Sequence, residues 1–176
     1  MCEDTKVKGK AVNATSTGEI SLKKDKLSID LINTVRQEAL KRYIGRNKDK
    51  LLSHQPMDKE LEVYVLSLCC NMLREYYFGR YRTGIGEDKK LLNDKNIVGH
   101  MRTAVKFRLE AKRIVISNIR LLEILLSIIN EIEAKDKFKE VYTKRVNELE
   151  TEEDVIKNRR ALRKYLRSYY YFMSKF

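Results

Sequence analysis

The sequence predicts an all-α protein: a single-domain bundle of about five helices with a flexible basic N-terminal arm. Three observations carry that expectation. Seven Gly and one Pro in 176 residues leave too few sharp turns for a many-stranded sandwich or barrel. Hydrophobic residues make up 43% of the chain and recur at helical spacing. A chain of 176 residues is also the size of one domain with a core of its own.

Residues 1–26 are polar, rich in Lys, Ser and Thr, and lack any period, so they read as a mobile arm before a helical domain over 27–176. Ser28 is a suitable N-cap for the first helix, where Leu31, Ile32, Val35, Ala39 and Tyr43 fall on one side. Gly45 and the polar run after it end that helix. Pro56 suits the first position of the second helix, and Asp58 and Glu60 suit its dipole. From Val63 to Leu73 only Ser67 and Asn71 interrupt the apolar run, which predicts a central, buried helix ending near Gly79.

Gly84 and Gly86 in RYRTGIGEDKK read as a flexible connecting loop, and a GxG without a preceding strand does not make a phosphate cradle. Helical period resumes near Asn96 and runs to about Ala134, as one long helix or two with a kink. Leu121, Leu122, Ile124, Leu125, Leu126, Ile128 and Ile129 make its second half core. A short helix over 136–148 follows. Thr151 and the acids after it announce a last helix running towards Ser174.

Composition excludes several functions. No window holds enough uninterrupted apolar residues for a membrane span, and the N-terminus lacks the apolar core of a signal peptide. Cys2, Cys69 and Cys70 form no disulfide framework, which fits a reducing, cytoplasmic setting. Cys69 and Cys70 read as small core residues. His54 and His100 have no zinc-ligand spacing, so neither metal nor cofactor is expected. Nucleophile elbow, Walker A motif and paired catalytic acids are all missing, which predicts a protein that is not an enzyme. A metal-independent ribonuclease using His54 and His100 is the catalytic alternative.

Charge is the informative feature. The net charge is +12, and two segments carry the whole excess. Residues 155–176 hold seven basic residues and no acid; residues 100–120 hold six, Arg102, Lys106, Arg108, Lys112, Arg113 and Arg120, against Glu110 alone. At about 100° per residue, Arg102, Lys106, Arg113 and Arg120 make one stripe roughly 27 Å long. Met101, Ala104, Ala111, Val115, Ile119 and Leu122 lie opposite, as the side expected to pack. In the last helix Val155, Leu162, Leu166, Tyr169 and Met173 share one face, while Arg160, Arg163, Lys164 and Arg167 occupy another with Tyr171 near them. Faces almost free of acids suit phosphate contact more than simple solvation. The expected partner is therefore RNA or another nucleic acid.

Three stretches resemble the small helical subunit of type III-A CRISPR effector complexes, the Csm-type small subunit. They are the arm running into Leu27-Ser28 and the helix with Ile32, Val35 and Tyr43; Val105-Lys106-Phe107-Arg108-Leu109-Glu110-Ala111-Lys112-Arg113; and Lys164-Tyr165-Leu166 with Tyr169, Tyr170 and Phe172 before Phe176. Lys112 stands where that family tends to have Gly, and this chain is longer. The resemblance implies a non-catalytic bundle in an antiviral ribonucleoprotein, present in several copies. Its basic face would lie along the guide RNA–target duplex beside other subunits. A second likeness, of residues 106–120 and 150–170 to the helical domain of GINS subunits, implies a scaffold of a DNA replication assembly, but the small β-domain expected there is missing.

Overall fold

The computed structural model describes residues 5–7, 20–23, 26–43, 59–132, 137, 140–141, 143–144 and 153–173. Among them are five helices: α1 (Ile29–Tyr43), α2 (Lys59–Arg80), α3 (Ile85–Asn93), α4 (Gly99–Glu131) and α5 (Glu153–Met173). The chain is the all-α bundle that its periodicity predicts. A two-stranded ribbon is added to it: β1 (Thr5–Val7) runs antiparallel to β2 (Ile20–Leu22), with Lys6 opposite Ser21.

Within the segment read as a mobile arm, the described residues form this ribbon and its junction with the bundle. Leu22 is fully buried against the bundle, and Asn118 of α4 donates its Nδ2 hydrogen to the Lys23 carbonyl at 3.2 Å. An apolar side chain in the core and a hydrogen bond to its neighbour tie the end of this segment down.

α1 begins as the sequence suggests, the Leu31 amide donating to Ser28 Oγ at 3.3 Å. α2 and α4 run antiparallel and form the centre. Lys59 at the start of α2 donates to the Asn130 and Ile132 carbonyls at 2.9 Å each, and Arg74 further along pairs with Glu123 at 2.5 Å. Val65, Leu66, Cys69 and Leu73 face Val115, Leu121, Leu122, Leu125 and Ile129 in one core, joined by Leu31, Ile32, Leu162, Leu166 and Tyr169. Leu68, Met72 and Leu126, expected at the centre with them, pack at its margin and are only partly buried.

The glycine-bearing segment is not a loop throughout. Gly86 lies inside α3, and Gly84 caps it, its amide donating to Glu87 Oε2 at 2.7 Å. The cap and two acids in the first turn outweigh the helix cost of one glycine. Residues 99–131 are one continuous helix, roughly 50 Å long at 1.5 Å per residue. Gly99 starts it at φ +54°, a left-handed conformation that favours glycine. Cys2, Gly45, His54, Pro56, Thr151 and most of the expected helix over 136–148 lie outside the described residues.

Candidate binding surface on the fourth and fifth helices

α4 changes its buried side along its length. In its first half Val105, Leu109 and Lys112 are buried, spaced to face one neighbour, α3. In its second half Ile114, Asn118, Leu121, Leu125 and Ile128 are buried against the rest of the bundle. At about 100° per residue the buried side has swung by close to half a turn.

Two of the expected phosphate contacts are absorbed by the contact with α3. Asp88 of α3 is fully buried and accepts from Arg108 Nη2 at 2.6 Å and Nε at 3.1 Å, from Lys112 Nζ at 2.6 Å and from Thr83 Oγ1 at 3.1 Å. Burial alone would push the Asp88 carboxyl up. Hydrogen bonds from Arg108, Lys112 and Thr83 outweigh it and hold the group below its ordinary 3.8. Lys112 has no exposed surface at all; its ammonium also donates to the Thr83 carbonyl at 2.6 Å and Oγ1 at 2.7 Å, and sits 5.5 Å from the Tyr81 ring centre. The placing of Lys112 on a nucleic-acid face is therefore corrected: a buried ammonium with every proton used cannot reach a phosphate. Arg108 is half-buried with its fork turned inward to Asp88, so it too is chiefly a clamp between α3 and α4.

The remaining basic residues do face outward. Arg102, Lys106 and Arg120 are exposed along α4, and Arg113 is half-buried and pairs with Glu110 one turn earlier. On α5 Arg160, Arg163, Lys164 and Arg167 are exposed, with Tyr170 and Tyr171, while Leu162, Leu166 and Tyr169 are buried as their spacing predicts. The side chains of Val155, Lys157, Arg159 and Met173 lie outside the described residues. Tyr165, one position from the expected inner row, is buried and accepts from Arg36 Nη2 at 3.0 Å. Arg36 of α1 also grips Glu62 of α2, Nη2 to Oε1 at 2.7 Å and Nε to Oε2 at 3.3 Å, and donates to Asn33 at 2.8 Å. One buried guanidinium thus joins three helices and seats α5.

The apolar side expected opposite the basic stripe is also only half right. Val115 and Leu122 are buried, and Ala111 and Ile119 half-buried, but Met101 and Ala104 are exposed. Phe107 and Val98 are exposed with them. α3 covers one side of this half of α4 and leaves the other open.

Cys69 and Cys70 are buried free thiols, as expected of core residues. Burial pushes the Cys69 thiol far above its ordinary range and the Cys70 thiol to about 11, so neither is a thiolate near neutral pH. Among the described residues no group of His, Cys, Asp and Glu could hold a metal ion, and no helix is long and apolar enough to cross a membrane. His100 is exposed on the first turn of α4.

Fold and surface together define a helical bundle that leaves basic residues exposed on one side of a long helix and apolar residues on another. The chain belongs to the family described as Rubisco LSMT substrate-binding, whose sequence profile matches residues 8–115, well over half of its length. That span begins just after β1, takes in β2 and runs through the first half of α4, including the Asp88 clamp, and ends before α5. No curated protein and no solved structure matches the chain significantly.

Proposed function

We propose that this chain is a non-catalytic recognition module that holds an acidic surface of a protein partner. The family description supports this reading, because substrate binding for an enzyme of Rubisco means holding a protein. The observation that carries it is the open face of α4 within the matched residues. Arg102 and Lys106 stand exposed on one side of this half-helix and Met101, Ala104 and Phe107 on the other, and a surface with exposed apolar as well as basic residues suits a polypeptide better than a bare phosphate chain. No cofactor or bound metal enters the reading.

A second reading keeps the nucleic-acid partner, as in a subunit lying along a guide RNA–target duplex. Its support is the exposed set Arg160, Arg163, Lys164 and Arg167 with Tyr171 on α5, beyond the matched residues. It remains compatible with several copies and with neighbouring subunits. The stretch 105–113, one of the three behind the Csm-type resemblance, lies inside the matched span.

Titration of the chain with polyglutamate and with an RNA duplex of arbitrary sequence, over a series of salt concentrations, separates the two. The first reading expects the tighter complex with the acidic polypeptide. Salt-sensitive binding to the duplex with none to polyglutamate would replace it with the second.

A further inference from the structure

The first half of α4 keeps its apolar and its cationic residues apart. At about 100° per residue, Ala104, Phe107 and Ala111 fall within about 60° of one another. The strip they make runs on into Ile114, Asn118 and Leu122 of the core. Phe107 is 60% exposed, Ala104 is exposed and Ala111 half-buried; Met101 stands at the edge of the strip nearest α3. Arg102 and Lys106 lie on the opposite side of the helix. Between Gly99 and Ala111 the strip's half of the circumference holds His100 and two charged side chains, Arg108 and Glu110. Arg108 is held by Asp88, and Glu110 pairs with Arg113. It is a core-type face left in water, with its charges neutralised inside the chain.

We infer that this strip pairs with the same strip of a second copy of the chain, the two helices running antiparallel. A two-fold axis beside Phe107 sets the two rings against each other. Ala104 of each copy then falls opposite Ala111 of the other, and these small side chains let the backbones come close enough for the rings to meet. Charge selects this occupant. A polyanion finds its cations on the far side of α4, not along the strip. At a net charge of +12 two copies repel each other, and they repel least where their exposed cations are turned away. The pair leaves Arg102 and Lys106 open to an acidic surface, so the inference stands apart from the proposed function. Two or three turns of helix cover less than the roughly 800 Å² per partner of a standard interface, so the pair is weak and reversible.

Sedimentation of the full chain over a concentration series reads the pair directly. The dimer fraction should rise with protein concentration and also with salt, which screens the repulsion between cationic copies. Binding to a polyanion responds to salt in the opposite sense. Phe107→Ser should weaken self-association at least about tenfold while circular dichroism and melting stay unchanged, since the ring is exposed. Arg102→Glu with Lys106→Glu should not weaken it. Ala104→Cys with Ala111→Cys, in a Cys2→Ser chain, tests the direction of the pair. Two turns and about 10.5 Å apart, these thiols cannot bridge within one chain. Oxidation should therefore link two chains in the double variant and far less in either single one. A chain that stays monomeric at the highest concentration overturns the inference, as does a dimer indifferent to Phe107→Ser. Equal cross-linking by the single variants overturns it too. Polyglutamate binding by a chain that stays monomeric leaves the proposed function standing.

Discussion

Lys112 shows how a single residue can change meaning with its surroundings. In the sequence it is one of six cations in a basic helix; in the fold it is a buried charge opposite Asp88. Burying two ions is costly, and removing one partner leaves the other stranded. Lys112→Ala should therefore lower stability by about 3 kcal/mol, the lower end for broken buried pairs because Arg108 still donates to Asp88. Urea denaturation measures this, and a change below about 0.5 kcal/mol would mean that the clamp carries little. Asp88 also sets a pH dependence. Its folded pKa lies below its ordinary 3.8, so its contribution is fully present above that value and is lost as pH falls through the folded pKa. Melting temperature should hold from neutral pH to about 4 and then fall, and Asp88→Asn should flatten that acid limb. A signal for the burial was present: Val105, Leu109 and Lys112 stand at i, i+4 and i+7, so the lysine lies on an apolar face. Glu62 shares a side of α2 with Leu66 in the same way. Their partners Asp88 and Arg36 were not legible, because pairs 24 and 26 residues apart arise only from how helices pack.

At the scale of elements, helix positions and inner faces were readable because apolar period reports packing directly. The Ser28 cap, the apolar middle of α2 and the Leu162, Leu166, Tyr169 row are cases. Depth within the core was less readable. Leu66 is fully buried, whereas Leu68, two residues on, lies at the margin. Leu66→Ala should cost about 2–5 kcal/mol, with Leu68→Ala clearly less. A reversed order in chemical denaturation would show that the core centre is misplaced. α3 was missed because its two glycines look like punctuation, while Gly84, Glu87 and Asp88 are the start of a helix. A Cβ on Gly86 would meet no atom within 4 Å. Gly86→Ala should accordingly stabilise the chain by about 0.4–1 kcal/mol, read from the same unfolding curves. No gain would mean that α3 is not helical at that position.

For the whole molecule, net charge of +12 pointed to an anionic partner but could not say which cations were available. Folding takes Lys112 out of that set, turns Arg108 inward and leaves α5 with an exposed row. That row gives the sharpest test of the whole surface. Arg163→Glu together with Arg167→Glu should leave melting nearly unchanged. RNA affinity should drop at least tenfold, or about 1.4 kcal/mol, if α5 meets phosphates. A loss of fold instead would make this row structural.

The half-turn swing of the buried side of α4 also divides its motions. Its second half is enclosed by α2, β2 and α5, so its amides should exchange hydrogen only when the entire bundle opens. Its first half leans on α3, through Asp88, and on Thr83 just before it. A local opening that lifts α3 away should release those amides at a lower free energy. Native-state exchange is expected to show a step near Lys112, faster on the Gly99 side and slower towards Ile129. Lys112→Ala should quicken the fast side and lower the slow side by no more than its global cost. One helix would then contain two cooperative units, with the part that packs on α3 free to open while the core beneath it stays closed.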